Sequence, residues 1–141
     1  MNYLYLLDSN VVSEFSKPSV NENVVSHFKR KESFCAVSAI TLQEMQMGME
    51  LLPDGKRKDQ VRSFVELVKR KFAVIPYDKR SAVVCGEILA EAQKAGKPRP
   101  ICDTQIAATA LANNMILVTR NVRDFSLMQK STLLKVENWF E

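Results

Sequence analysis

The sequence predicts an α/β fold, a three-layer sandwich in which a short parallel sheet of four to five strands is flanked by helices. Three observations support this prediction. The chain contains short runs of consecutive apolar residues, which are typical of strands covered on both faces. Segments with apolar residues three and four positions apart lie between these runs and predict helices. Strands and helices therefore alternate along the chain, as they do in α/β proteins with a parallel sheet.

The predicted strands show none of the alternation of apolar and polar residues that marks a strand with one exposed face. Four runs are clear, and a fifth is a possible short strand. The runs span residues 3–7, 34–37, 72–75, 115–118 and 133–136. Ligands of such folds bind beyond the carboxyl ends of the parallel strands, so polar residues that follow these runs are of interest.

The predicted helices fill the intervals between the runs. A short helix begins near Val11 and ends before Pro18, and Gly96 with Pro98 provides a stop signal for a later helix. The apolar stripes of the later helices are Val61, Phe64, Val65 and Val68 within residues 54–71, then Cys85, Ile88, Leu89 and Ala92 within residues 78–95, then Ile106, Ala107 and Ala110 after Asp103.

Length and composition predict a single globular domain spanning residues 1–141. Hydrophobic residues make up 46% of the chain and charged residues 26%, which are ordinary values for a packed domain. No segment approaches the roughly 20 apolar residues of a membrane span. The first apolar run is short and has no basic residues before it, unlike a signal peptide. A cytoplasmic location without membrane association is therefore expected.

Cysteine and charge patterns narrow the possible chemistry. Cys35, Cys85 and Cys102 are odd in number and widely spaced, and His27 is the only histidine, so a disulfide framework or a zinc site is not expected. All three cysteines are interpreted as small core residues. The net charge is +4, and basic residues occur in short clusters. These clusters suit a nucleic acid partner, but from charge alone solvated helix faces are the better explanation.

Four acidic residues lie in apolar surroundings or directly after a predicted strand. Asp8 ends the first strand, and Asp124 follows the fourth. The other two lie on apolar stripes of helices, which are Ile40, Glu44, Met47 and Leu51 for one and Asp103, Ile106, Ala107 and Ala110 for the other. Carboxylates on an inward-facing stripe are rarely left without a partner.

Each acid also has a purely structural explanation. Asp8 is a suitable N-cap for the helix near Val11, Asp103 is a suitable N-cap after Pro100, and Asp124 could cap the segment that follows it. Glu44 is in the middle of its helix and caps nothing. An ion pair with a basic residue is therefore the main structural explanation for Glu44.

Considered together, the four acids predict a metal site. The ends of the first and fourth strands and the starts of the following helices share one edge of a parallel sheet, where the carboxylates could converge. Two like charges about 4 Å apart repel by roughly 4 kcal/mol at an effective dielectric near 20, which is large against a total stability of about 5–15 kcal/mol. Either some of the acids are protonated or a divalent cation neutralises them. Oxygen ligands without histidine or cysteine favour Mg²⁺ or Mn²⁺.

Neutral hydrogen-bonding residues surround the same edge, and they are Ser9, Asn10, Thr119 and Asn121. They could orient an acid or a metal-bound water, although ordinary turn capping explains them nearly as well. An acid-bound Mg²⁺ beside a basic surface suits phosphodiester hydrolysis, because the ion can polarise a phosphoryl oxygen and activate water.

Three motifs resemble the PIN-domain family, and specifically its VapC-type toxins and the similar FitB-type proteins. The motifs read LLDSNVVSEFSKP, SAITLQEMQMG and PICDTQIAATALANNMILVTRNVRDF. The resemblance extends from Tyr5 to about Phe125 and keeps the order and spacing of the acidic motifs. It implies a PIN-like fold and a Mg²⁺- or Mn²⁺-dependent endoribonuclease, the toxin of a type II toxin–antitoxin system.

The resemblance also implies partners. Members of the family commonly cleave tRNA or rRNA, usually form homodimers, and are neutralised by a small DNA-binding antitoxin within a larger hetero-oligomer. The tail of that antitoxin covers the active site, often with an arginine near the acids. The complex typically represses its own operon, with operator DNA read only through the antitoxin.

The resemblance assigns the acids residue by residue. The first three acids of the family fall on Asp8, Glu44 and Asp103, with Asp8 and Asp103 as the expected metal ligands. The fourth falls on Asp124 or, in some relatives, on the position of Asn121, which is neutral here. Asp124 is therefore assigned to the site with Glu44, either as a supporting acid or as a ligand of a second ion.

Two positions depart from the family pattern. Ser9 replaces the usual threonine and keeps its hydroxyl, and Asn114 replaces a common glycine after a helix. Asparagine tolerates the left-handed conformation that this position requires.

Other functions fit the residues less well. A receiver domain also has aspartates at strand ends, and a haloacid-dehalogenase-like phosphatase would need a second aspartate where Asn10 lies. The stronger alternative is a FitB-like partner of a DNA-binding antitoxin that acts mainly in transcriptional regulation and has little nuclease activity. The SEFSKP segment is consistent with this alternative, and no helix-turn-helix pattern is present to read DNA directly.

Overall fold

The structure is a computed structural model that describes residues 2–141. Its five strands are β1 (Tyr5–Leu7), β2 (Cys35–Ser38), β3 (Ala73–Ile75), β4 (Ile116–Val118) and β5 (Lys135–Glu137). Its seven α-helices are α1 (Ser9–Glu14), α2 (Glu22–Lys31), α3 (Ala39–Glu50), α4 (Lys56–Lys71), α5 (Lys79–Lys94), α6 (Ile101–Ala112) and α7 (Ser126–Ser131). Short 3-10 turns occupy Glu32–Phe34 and Val122–Phe125.

The strands form one parallel sheet in the order β3-β2-β1-β4-β5. The chain first builds the sheet outward on one side of β1 and then returns to build on the other side. The crevice between the carboxyl ends of β1 and β4 is therefore a topological switch point, where α/β proteins usually bind their ligands.

Two buried clusters cover the two faces of the sheet. Leu6 points into one cluster, with Ile88 and Ile106 from α5 and α6. Leu7 points into the other, with Val11 and Val68 from α1 and α4. Because neighbouring strand residues face opposite sides, both are fully buried, and the three-layer α/β prediction is confirmed.

Strand and helix positions agree with the predictions to within a few residues, but two helices were not predicted. The sequence offered a signal for α2, because Asn21 caps its first turn and Val24 and Phe28 are buried four positions apart. No comparable cap marks α7, since Phe125 at its N-cap makes no side-chain bond. In residues 2–141, no helix has both the length and the apolar character needed to cross a membrane.

Two predicted capping roles are wrong. Helix α6 already begins at Ile101, so Asp103 lies inside its first turn and not at the cap. Asp124 lies in the 3-10 turn before α7 and does not cap that helix. The structural alternative given for Asp8 is observed, because Asp8 is the N-cap of α1 and its side chain accepts a hydrogen bond from Ser9 N.

The predicted inward stripe of α3 is also wrong. Ile40 is buried, but Met47 is 59% exposed and Leu51 is 76% exposed. The helix instead buries Thr41 and Met49, because its neighbours α1, α4 and α6 contact it from different directions and no single stripe faces one layer.

The turn after α6 has the backbone conformation predicted from the sequence. Asn114 has a positive φ of 54°. We expect Asn114→Ala to lower the free energy of unfolding by about 1 kcal/mol, since a Cβ without a compensating polar group is strained in this region. Asn114→Gly is the control and should not destabilise the protein. Denaturant unfolding measures both, and equal stability of the two variants would contradict the assignment of strain to this residue.

Candidate active site

Asp8 lies at the carboxyl end of the central strand β1, beside the end of β4. Its backbone N–H donates to the carbonyl of Val118, and its side chain is only 5% exposed. Its carboxylate Oδ1 accepts a hydrogen bond from Ser9 N at 2.8 Å. Its Oδ2 accepts from the Thr119 hydroxyl at 2.9 Å and from Asn10 Nδ2 at 3.2 Å.

These contacts leave Asp8 with limited further bonding capacity. A carboxylate offers about four lone-pair positions, two on each oxygen. Oδ2 has two donors and Oδ1 has one, so the remaining position is on Oδ1. The geometry therefore leaves one Asp8 oxygen able to accept a cation or a water.

Thr119 and Asn10 hold this carboxylate in place. The buried Thr119 hydroxyl donates to Asp8 and accepts from Asn121 N at 3.1 Å and from Asn10 Nδ2 at 3.3 Å. Asn10 Oδ1 in turn accepts from Arg120 N at 3.0 Å. The side chains of Asn10 and Thr119, two of the four predicted neutral residues, thus contact Asp8 directly.

Ser9 and Asn121 contribute differently from the prediction. Each supplies a backbone N–H to the network, Ser9 to Asp8 and Asn121 to Thr119. Their side chains form no hydrogen bond within the described part of the chain. Serine at position 9, where the family usually has threonine, therefore does not change the network around Asp8, because only its backbone takes part.

Asp8, Glu44 and Asp103 lie within electrostatic range of one another, and Asp124 lies within range of Asp103. Burial raises the pKa of Glu44, and the charges of Asp8 and Asp103 raise it further. Burial also raises the pKa of Asp103, with additional contributions from Asp8 and Asp124. The pKa of Asp8 is raised by burial, while its bonds to Thr119, Ser9 and Asn10 act in the opposite direction. The topology thus concentrates negative charge at the switch point.

Basic side chains do not neutralise this charge. Across residues 2–141, no ion pair within 4.0 Å involves Asp8, Glu44, Asp103 or Asp124. The structural explanation of Glu44 as one half of an ion pair is therefore wrong. Arg99 comes nearest to Asp124, and its Nη1 lies 3.5 Å from the backbone carbonyl, not from the carboxylate.

The donor set suits a hard divalent cation with few protein ligands. Among the described residues, no group of three or more His, Cys, Asp or Glu side chains is arranged closely enough to enclose a metal ion. Mg²⁺ differs from zinc in this respect, because it usually keeps several waters and takes one or two carboxylates. Two carboxylates with raised pKa values and no cationic partner fit this type of binding.

Cys102 was predicted to be a core residue, but it is only partly buried. The other two cysteines, Cys35 and Cys85, are buried as predicted, and all three are free thiols. Burial raises the pKa of the Cys102 thiol, as do the charges of Glu44 and Asp103, so Cys102 lies beside the acids. Its position directly before Asp103 in the sequence could have indicated that it lies near the acids.

Comparison with known proteins gives a family for this arrangement. The model of the PIN domain family matches residues 5–130. Toxin FitB of Neisseria gonorrhoeae is 33% identical over 128 residues, which cover 86% of this chain and 91% of FitB. Ribonuclease VapC2 of Haemophilus influenzae is 32% identical over 135 residues, which cover 96% of this chain and 97% of VapC2.

Solved structures give the same result for the fold. FitAcB from Neisseria gonorrhoeae superposes with a TM-score of 0.83 at 31% identity, covering 98% of this chain and 99% of that chain. DNA-bound VapBC from Salmonella typhimurium superposes with a TM-score of 0.81 at 27% identity, covering 97% and 98%. The resemblance inferred from the three sequence motifs is confirmed.

Proposed function

The chain belongs to the PIN domain family, and from this premise we propose that it is a Mg²⁺-dependent endoribonuclease, the toxin of a type II toxin–antitoxin system. One observation carries the proposal. The charges of Asp8, Glu44 and Asp103 act on one another near the switch point of the sheet, Asp124 acts on Asp103, and none of the four has a cationic partner among residues 2–141. Carboxylates that serve only the fold do not need to lie close enough to repel one another, whereas carboxylates that bind a cation do.

Asp8 and Asp103 would hold the cation, Mg²⁺ or alternatively Mn²⁺. Asp8 has a free position on Oδ1 and a carboxylate that Thr119 and Asn10 hold rigidly from the other oxygen. Asp103 is half-buried in the first turn of α6, and the charge of Asp8 contributes to raising its pKa. When bound, the ion would polarise a phosphoryl oxygen and lower the pKa of a bound water.

Glu44 is the acid best suited to take a proton in this scheme. Burial and two neighbouring charges raise its pKa, so its carboxylate has a higher proton affinity than an exposed glutamate. Asp124 would add negative charge near Asp103 and strengthen cation binding there. Neither residue is fixed by a side-chain hydrogen bond in the described chain, so both keep free oxygens.

RNA is the substrate class that this surface and its relatives favour, with tRNA or rRNA in the cytoplasm as the expected targets. The net charge of +4 suits a polyanion. The name of the Haemophilus influenzae relative describes a ribonuclease.

A small antitoxin is the expected protein partner. A groove of about 810 Å³ opens beside the acids between α1, α3 and α4, and its lining includes Ser9, Glu44, Met45 and Phe64. This mixture of an acidic end and an apolar floor suits a peptide tail that carries an arginine and apolar side chains. We also expect a homodimer within a larger toxin–antitoxin hetero-oligomer, with operator DNA bound only through the antitoxin.

Cleavage of RNA by the purified chain tests the proposal. We expect bulk tRNA or rRNA to be cut in Mg²⁺, to remain intact in a chelator, and to be cut again when Mg²⁺ is restored. The physical reason is that the acids repel a phosphodiester unless a cation screens them. Cleavage that continues unchanged in the chelator would contradict the metal-dependent mechanism.

A second function keeps the same fold. A FitB-like regulatory partner would bind a DNA-binding antitoxin tightly and cut RNA slowly or not at all. The DNA-bound VapBC complex, which this chain resembles at a TM-score of 0.81, favours retaining this alternative. Absence of cleavage together with tight operator binding that requires the antitoxin would support it over the nuclease.

A further inference from the structure

Arg120 follows Thr119 directly and is tied to the network around Asp8. Its backbone N–H donates to Asn10 Oδ1 at 3.0 Å, and Asn10 itself contacts Asp8. The side chain of Arg120 is exposed, and its guanidinium lies over the ring of Phe140, with Cζ 4.6 Å from the ring centroid. The Arg120 backbone is therefore joined to the network around Asp8 through Asn10, and its guanidinium has a defined position over Phe140.

Phe140 is a rigid support for this guanidinium. Its carbonyl accepts from Asn23 Nδ2 at 3.1 Å, and its N–H donates to Asn138 Oδ1 at 2.9 Å. The preceding residue, Trp139, is completely buried. Stacking on an aromatic face leaves the N–H edges of a guanidinium free to form hydrogen bonds, and it lowers the entropy that Arg120 would lose on binding an anion.

No acid within the described chain uses these N–H groups. Glu14 is near enough for the Arg120 charge to contribute to lowering the pKa of Glu14, but the main causes are its bonds to Lys17 and to Asn21 N. Each Glu14 oxygen accepts one of those bonds, at 2.9 Å. Within residues 2–141, Arg120 forms no ion pair inside 4.0 Å.

We propose that Arg120, held over Phe140, binds a backbone phosphate of the RNA substrate next to the phosphodiester at the acidic site. The inference rests on the proposed nuclease function and adds a residue-specific contact to it. A planar guanidinium can bind two phosphate oxygens at once, which an ammonium cannot do. Its closeness to Asp8 would fix the RNA backbone relative to the acids.

Arg120→Gln tests this contact, with Arg70→Gln as the control, because Arg70 is an exposed arginine on α4 and its loss changes the net charge equally. Binding of an unstructured single-stranded RNA oligonucleotide is measured in a chelator, and cleavage of the same RNA is measured in Mg²⁺. We expect Arg120→Gln to weaken binding and raise KM about tenfold with kcat little changed. The slope of log affinity against log salt should fall in magnitude by about 0.7–1.

Two further variants distinguish loss of the Arg120 contact with RNA from a loss of folding. Arg120→Lys keeps the charge and should recover only part of the affinity, because it lacks the planar donor pair. Phe140→Leu keeps the arginine but removes the stacking face, and it should weaken binding less than Arg120→Gln does. Thermal unfolding of Arg120→Gln should lie close to that of the wild type, since this exposed side chain forms no ion pair and loses only its stacking on Phe140.

The outcomes are distinguishable. RNA binding and KM of Arg120→Gln equal to those of Arg70→Gln would overturn this inference and leave the nuclease proposal intact. The same holds if Arg120→Gln weakens only antitoxin binding. A wild-type protein that neither binds nor cleaves RNA would overturn both proposals together.

Discussion

Replacing Asp8 by asparagine is expected to reduce RNA cleavage at least about 100-fold without unfolding the protein. A metal ligand contributes several kcal/mol to stabilising charge in the transition state, and each 1.36 kcal/mol corresponds to a factor of ten in rate. Asparagine can still accept the bonds from Thr119 and Asn10 through its one oxygen, but its amide nitrogen then faces Ser9 N, which donates the capping bond of α1. It loses the charge and the bond from Ser9 N.

The same substitution should change how stability depends on pH. Burial raises the pKa of Asp8 above its ordinary value of 3.8, so the folded state binds the proton more tightly than the unfolded state. The resulting stabilisation is complete below pH 3.8 and is lost as the pH rises through the raised pKa. Above the raised pKa of Asp8, wild-type protein without a divalent cation therefore has a lower free energy of unfolding than at low pH. The asparagine variant avoids this loss, because it has no charge to bury.

Two measurements check this prediction. Cleavage of RNA in Mg²⁺ gives the rate, and denaturant unfolding in a chelator from about pH 3.5 to pH 8 gives the stability difference across the whole titration of Asp8. We expect the stability of the variant relative to the wild type to be highest at pH 8 and to decrease as the pH falls through the raised pKa of Asp8. Asp54→Asn is the matched control, because Asp54 has a 99% exposed side chain and should change neither quantity appreciably. Retention of cleavage by the Asp8 variant would exclude Asp8 as a metal ligand.

Most of the sheet was predictable because its strands are buried on both faces. Leu6 and Leu7 are consecutive and both fully buried. The run is therefore continuously apolar, as is typical of a parallel strand covered on both faces. The edge strand β5 was harder to predict. Lys135 is exposed, and Leu133, which was predicted to lie in that strand, is 92% exposed and outside it.

Apolar stripes were less reliable where a helix has several neighbours. A stripe identifies residues that could be buried, but it does not show whether another element covers them. Met47 and Leu51 continue the stripe of Ile40 and Glu44 in α3, yet both are exposed. The half-burial of Glu44 depends on the approach of α1 and α6, which are distant in sequence and leave no local pattern.

The acids of the site could be predicted, but the contacts that fix them could not. The three motifs and their order identify the four carboxylates. Thr119 donates to Asp8 across 111 positions of sequence, and this contact depends on β4 lying beside β1. Arg120 looked like one of many basic residues until the fold brought Phe140 from the end of the chain beneath it.

Trp139→Ala is expected to lower the free energy of unfolding by about 3–5 kcal/mol. Trp139 is completely buried, and its ring stacks on His27 with centroids 5.4 Å apart. Tyr5 contacts the same ring at 5.5 Å, and Lys31 Nζ lies 5.1 Å from its centroid. A single residue near the end of the chain therefore joins α2, the start of β1 and β5.

The indole also has a polar partner, which allows packing and hydrogen bonding to be separated. Its Nε1 donates to Glu137 Oε1 at 2.9 Å. Trp139→Phe keeps an aromatic ring and loses this bond, so it should cost about 1–2 kcal/mol, clearly less than alanine. Leu133→Ala is the matched control, because that side chain is 92% exposed and its truncation should change stability by no more than about 0.5 kcal/mol.

Denaturant unfolding of the three variants decides whether the end of the chain stabilises the domain or only lies on it. With a total stability of about 5–15 kcal/mol, a loss of 3–5 kcal/mol would leave Trp139→Ala marginally folded, with a clearly lower midpoint. A loss below about 1 kcal/mol would mean that this segment packs loosely. The support of Arg120 by Phe140 would then also fail, because Phe140 is held in place next to Trp139. The stability of Trp139→Ala and the RNA affinity of Phe140→Leu therefore test the same segment by independent measurements.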